Sequence, residues 1–189
     1  MEPTRLFDFL HYQLKNFPLP DMFAAKEGGK WKTYSTQDVE DLVNKLGSGL
    51  SDLGVSANDM TAEGRDKVAV ISKNRPEWLM LDLAVQKIGA VLVPVYPTIS
   101  VNELQFILND AQVKVIFVND EELFLKVKSI QAGLPSLKHV YTFEHVPNAI
   151  HWKEALSKTK NEFIDRIAEQ IKSEDLATII YTSGTTGTP

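Results

Sequence analysis

At 189 residues, with 43% hydrophobic and 24% charged side chains, the chain can enclose one sizeable core, which excludes disordered, collagen-like and mucin-like classes. Its net charge of −5 argues against a non-specific nucleic-acid binder, which needs a basic surface. Cysteine is absent, so disulfides, thiolate zinc sites, iron–sulfur clusters and a cysteine nucleophile are excluded together.

The first predicted element is a short helix over Leu6–Asn16, with Leu6, Phe9, Leu10 and Leu14 toward one side and Pro18 and Pro20 closing it. No apolar run follows Met1–Arg5, so no secretory signal is visible. Strands over 22–26 and 31–34 flank Glu27-Gly28-Gly29-Lys30, a hairpin signal. Ser35 is a good N-cap for the clearest helix. In it Val39, Leu42, Val43, Leu46, Leu50 and Leu53 recur at helical spacing, and Gly54 stands where a left-handed residue closes the last turn. Residues 56–66 are polar and read as an exposed loop.

From Lys67 onward strands and helices alternate. Strands are predicted over 68–71, 91–95, 113–118, 139–143 and 176–181. Helices are predicted over 76–88, opened by Pro76 in its first turn, and over 102–111, 121–131 and 162–172. In the last of these Phe163, Ile164, Ile167, Ala168 and Ile171 point inward. Residues 148–160 have room for one or two helical turns around 152–156. The longest mostly apolar run, 88–96, is far short of a membrane span and holds Pro94, so the chain reads as soluble and cytoplasmic.

This alternation predicts an α/β fold: a three-layer αβα arrangement of flavodoxin-like type, with a mainly parallel sheet covered on both faces. Residues 1–66 supply a helix, a hairpin, a second helix and a loop; residues 67–189 supply the α/β subdomain. In such folds ligands bind beyond the carboxyl ends of the strands, which selects residues 72–75, 96–100 and 182–189.

The third of these loops carries the chemistry. Thr182-Ser183-Gly184-Thr185-Thr186-Gly187-Thr188-Pro189 combines hydroxyl residues and glycines directly after a predicted strand. Glycines let successive backbone amides converge on one anion, and hydroxyls can donate to phosphate oxygens or offer lone pairs to magnesium. The same composition also suits an ordinary turn at a chain end. It is not a Walker A loop, because no lysine follows at the required spacing.

Residue order separates these readings. Tyr181-Thr-Ser-Gly-Thr-Thr-Gly-Thr-Pro189 resembles the phosphate-binding signature of the adenylate-forming (AMP-binding) enzymes. Asn74-Arg-Pro-Glu-Trp78, Gly89-Ala-Val-Leu-Val-Pro-Val-Tyr-Pro-Thr98 and Asp175-Leu-Ala177 resemble the same family, and Tyr96-Pro97-Thr98 leans toward its long-chain fatty acyl-CoA synthetases. The family pattern continues with Lys-Gly, whereas this sequence stops at Pro189. The resemblance therefore implies the N-terminal part of the large domain of such an enzyme, with the C-terminal catalytic domain absent and the 189-residue chain inactive alone.

The resemblance further implies that a fatty acid is activated by ATP as an acyl-adenylate and transferred to coenzyme A. In that reading Thr182, Ser183, Gly184, Thr185, Thr186 and Gly187 hold the ATP phosphates, and Thr182 also contacts Mg2+. Tyr96 and Thr98 are candidate contacts to substrate or cofactor, and no residue of the chain is assigned a catalytic role. The expected partners are fatty acid, ATP and coenzyme A, without nucleic acid. Peripheral membrane contact through the amphipathic first helix is a further option. Rival readings are another adenylate-forming ligase, acting on aryl acids or luciferase-like, and a non-catalytic flavodoxin-like binding module.

The remaining candidates are weaker. His139, His145 and His151 lie six apart, which matches no helical pair of metal ligands. Glu40-Asp41, Glu121-Glu122 and Glu174-Asp175 are neighbours that do not face each other on a helix. Trp78 reads as core before it reads as an acyl-tunnel wall, and Arg75 either meets a phosphate or solvates a loop.

Overall fold

A computed structural model describes residues 2–158 and 162–182. Helix α1 (Leu6–Asn16) leads into the hairpin β1 (Phe23–Glu27) and β2 (Lys30–Tyr34). Gly28 and Gly29 both take positive φ there, as a tight two-residue turn requires. Helix α2 (Thr36–Asp52) starts on Ser35. The Ser35 hydroxyl accepts from the Asp38 amide at 3.1 Å while the Ser35 amide donates to the Asp38 carboxylate at 2.8 Å. Gly54, at φ 79°, closes that helix as the sequence pattern requires.

The α/β part follows: β3 (Lys67–Ile71), α3 (Pro76–Lys87), β4 (Val91–Val95), α4 (Val101–Asp110), β5 (Val113–Val118), α5 (Glu121–Ile130), β6 (His139–Thr142), β7 (Ile150–His151) and α6 (Glu162–Gln170). A 3-10 turn over Trp152–Ala155 fills the stretch that the sequence left open. The five strands pair in parallel in the order β4-β3-β5-β6-β7. This is the flavodoxin-like order, in which the chain first moves one way from β3 and then returns past it.

Both sheet faces are buried. Val68, Val70, Leu92, Val115 and Phe117 pack with α1, α2, α3 and α6 on one side. Ala69, Ile71, Val93, Ile116 and Val118 pack with α4 and α5 on the other. Successive strand side chains point to opposite faces, so a run such as Val68-Ala69-Val70-Ile71 serves two cores at once.

Three expectations are corrected. On α1 the buried side chains are Phe7 and Leu10, while Leu6 and Phe9 are exposed; the inward face is rotated by one residue. Phe163 of α6 is exposed, because the nine-residue helix seats only Ile164 and Ala168 fully. Residues 176–181 make a single parallel bridge, Leu92 to Thr178, beside the outer edge of β4. The Leu92 amide donates to Ala177 O and its carbonyl accepts from the Ile179 amide. In a parallel ladder the next residue of β4 to face that edge is Pro94, which has no N–H to donate, so the ladder stops.

Close approach explains one glycine inside α2. A Cβ on Gly49 would stand 1.7 Å from the carbonyl oxygen of Ala155. The neighbouring Ser157 amide donates to Lys45 O at 3.0 Å, which ties the 3-10 turn to the helix backbone. Alanine is the better helix former by about 1 kcal/mol, but here it would displace backbone. Gly49→Ala is therefore expected to destabilise the fold by about 1–3 kcal/mol, read as a lowered Tm in a circular-dichroism melt; an unchanged or raised Tm would contradict the packing.

Candidate functional site

Because β3 to β6 run parallel, their carboxyl ends share one rim. β3 delivers residues 72–75, β4 delivers 96–100, β5 delivers Asn119, and β6 delivers Phe143 and Glu144. The segment beside β4 runs in the same direction. Its single bridge sets Thr178 beside Leu92 in the first half of β4, and its described course ends four residues later at Thr182. Tyr96 is 77% exposed, and Thr98 and Thr182 are exposed as well. The proposed phosphate contacts Ser183, Gly184, Thr185, Thr186 and Gly187 lie outside the described residues.

Two polar clamps fix the approach to Thr182. At the near end, the buried guanidinium of Arg65 donates to Gly89 O at 2.9 Å and places its other terminal nitrogen 2.9 Å from the Asp175 carboxylate. Asp175 is held below the usual carboxylate range, first by the Lys172 amide and then, against slight burial, by Arg65. At the far end the Tyr181 hydroxyl donates to Asp110 Oδ2 at 2.5 Å. Burial first, then the Asp110 acceptor and its charge, push the Tyr181 phenol up, so it stays a donor. Asp110 ends α4, where an acid opposes the helix dipole and the last turn holds no base. Its value lies in that bond.

Along the rest of the rim is a cleft of about 930 Å³, walled by the β1–β2 hairpin and by the stretch from Phe143 to Lys153. A polar network forms its floor. Arg75 Nε donates to Glu77 at 2.9 Å, Tyr34 donates to the other Glu77 oxygen at 3.0 Å, and Asn119 accepts from Ser72 at 3.0 Å and donates to Glu144 at 3.0 Å. Burial alone would raise the Glu77 carboxyl; the bonds and charge of Arg75, with Tyr34, hold it below the usual range. The Arg75 guanidinium also lies 4.7 Å from the Phe143 ring centroid. Arg75 is thus a fixed internal partner rather than a solvating loop residue. Neither Tyr96 nor Thr98 lines this cleft.

Sequence spacing missed one pairing. His145 and His151 stack with centroids 4.0 Å apart and planes 9° from parallel. The signal was the short return from β6 to β7, which folds positions six apart onto each other. Among the described residues no group of three or more His, Cys, Asp or Glu could hold a metal ion. A magnesium held by substrate phosphates and one hydroxyl suits the exposed Thr182 better than an all-protein cage would. Trp78 packs partly buried against the core beneath α1 and α2. Among the described residues no helix is long and apolar enough to cross a membrane.

Known proteins resemble the chain over most of its length. The profile of the AMP-binding enzymes matches residues 11–189. The long-chain-fatty-acid–CoA ligase FadD15 of Mycobacterium bovis is 32% identical over 164 residues, which is 85% of this chain and 26% of that protein. Long chain acyl-CoA synthetase 4 of Arabidopsis thaliana is 28% identical over 202 residues, 97% of this chain and 29% of that protein. The chain therefore spans less than a third of the length of these relatives. The crystal structure of the anthranilate CoA ligase AuaEII with anthranoyl-AMP superposes with a TM-score of 0.72 at 20% identity, covering 98% of this chain and 33% of that one. That likeness shows a shared fold.

The histidine stack gives a pH test. Burial first, then the charge of His145, depress the His151 imidazole below its ordinary value. An imidazole depressed in the folded state takes up its proton more readily when unfolded. Its stabilising contribution is therefore full above about pH 6.5 and is lost as pH falls through the folded pKa. His145→Ala should raise the His151 pKa part of the way, since burial remains, as read by NMR titration of the ring protons; no upward movement would contradict the coupling.

Proposed function

The chain belongs to the AMP-binding enzyme family, and from that premise we propose that it is part of an ATP-dependent acid–thiol ligase acting on long-chain fatty acids. What supports this reading is the residue order of Tyr181–Pro189, which resembles the family's phosphate-binding signature and follows a segment pinned at Asp175 and at Tyr181. The relatives named as long-chain ligases favour a fatty acid over an aryl acid.

The chemistry has two steps. A carboxylate oxygen attacks the α-phosphorus of ATP, forming the acyl-adenylate and releasing pyrophosphate. The thiol sulfur of coenzyme A then attacks the acyl carbonyl, and AMP departs with the electron pair of the broken carbon–oxygen bond. Neither step needs a protein cysteine, and the chain has none.

Negative charge develops on the departing pyrophosphate, so preorganised donors there lower the barrier. Thr182, Ser183, Gly184, Thr185, Thr186 and Gly187 supply those donors in this reading, with backbone amides and hydroxyls around the β- and γ-phosphates. A magnesium ion at Thr182 would neutralise part of that charge. In this reading Tyr96 and Thr98, exposed just past β4, contact substrate or cofactor. We assign the enzyme to the cytoplasm, where ATP and coenzyme A are available to it.

The test is fatty-acid-dependent exchange of labelled pyrophosphate into ATP by the enzyme that carries these residues. Thr185→Val with Thr186→Val should lower kcat/KM for ATP by about 10²–10³-fold. A long-chain acid should support exchange where anthranilate does not. Full exchange in the double variant would overturn the assignment of the loop, and exchange with aryl acids alone would overturn the substrate class.

A further inference from the structure

The cleft beyond β3, β5 and β6 has features that the proposed ligase chemistry does not use. Arg75 is held rigidly by Glu77 and by the face of Phe143, yet only its Nε and one terminal nitrogen have acceptors among the described residues. The guanidinium thus keeps spare donors while lining the cleft. Lys73 and Lys153, exposed on opposite walls, and Lys26 on the hairpin have no acidic partner among the described residues. The one lining carboxylate without a cationic partner, Glu144, is bonded to Asn119. The cleft is therefore locally cationic in a chain whose net charge is −5. Its walls also carry the ring surface of the stacked His145 and His151, while Phe143 and Trp152 lie beneath them, each 3% exposed.

Fixed guanidinium donors, flanking ammonium groups and ring faces are the chemistry that recognises a phosphate on a small organic molecule. The cleft also straddles the point between β3 and β5 where the strand order reverses, the usual ligand position in this sheet type. We propose that it is a second anion site, for a phosphate-bearing small molecule, with Arg75 as the anchor and Lys73 and Lys153 as the flanking charges. Its residues are distinct from those the ligase reading uses. The described segment that ends at Thr182 lies outside β4, so two strand spacings, roughly 10 Å, separate it from β3, which delivers Lys73 and Arg75.

The experiment is an amide-resolved NMR titration of the 189-residue chain with inorganic pyrophosphate at low salt, repeated with AMP, inorganic phosphate and adenosine. Saturable shifts are expected at residues 73–77 and 143–153, with none from adenosine. AMP binding more tightly than phosphate identifies a nucleotide as the ligand; equal binding identifies the free anion; both support the site. Lys73→Gln with Lys153→Gln, at exposed positions that leave the fold intact, should weaken binding at least about tenfold. Arg75→Lys, which keeps the charge but loses the fork, should weaken it as well. Thr185→Val with Thr186→Val should leave it unchanged, which separates this site from the ligase reading. Absence of saturation, shifts confined to residues 96–100 and 182–187, or binding indifferent to the lysine and arginine changes would each overturn the proposal.

Discussion

A buried cation organises the molecule. Arg65 is 2% exposed, and a guanidinium removed from water needs its charge matched. Met60 O and Gly89 O accept from two of its nitrogens, and the Asp175 carboxylate, 2.9 Å from the third, balances the charge. These three groups come from the loop before β3, the turn between α3 and β4, and the run that approaches Thr182. One side chain thereby fixes three connections at the amino-terminal end of the sheet. Arg5 plays a related part nearby: it donates to Ala168 O and Ile171 O at the end of α6 while pairing with Asp8. The last described stretch is thus fastened by ionic and carbonyl contacts where sheet hydrogen bonds are few.

The opposite rim follows a different logic. Apolar strands covered on both faces leave no room for polar side chains within the sheet, so chemistry-bearing residues gather where the strands end. Ser72, Arg75, Asn119 and Glu144 all sit one to four residues past a strand, and their mutual bonds make that rim rigid. A single architectural rule thus accounts for where the cationic cleft lies.

Much of this was legible in the sequence because it rests on local chemistry. Ser35 with Asp38, Gly54 and Pro76 act within a turn or two of themselves, and the helices they bound lie where the pattern puts them. The family was legible through order rather than composition: nine residues from Tyr181 carried the resemblance that the profile match over residues 11–189 bears out. What was not legible depends on partners distant in the chain. The inward face of α1 is decided by where α2 and α3 stand, so Phe7 displaced Leu6. Arg75 could not be read as an internal partner before Tyr34, Glu77 and Asn119 were brought around it. The histidine stack needed β7 to return beside β6. The missing strand at 176–181 hinged on which edge of β4 Pro94 faces, a matter of pairing that periodicity does not report.

That proline bears on how the molecule behaves toward copies of itself. An outer strand with an unbroken row of amides offers a ready template for a stranger's backbone, and apolar sheets of this kind are the most exposed to such recruitment. β4 would be such a template, but one rung of the row lacks its donor and another is occupied by Ala177 and Ile179. A guest chain arriving along that border would find nothing continuous to zip against. The residue that cuts short the chain's own sixth strand thus guards a colloidal property, resistance to edge-to-edge clumping.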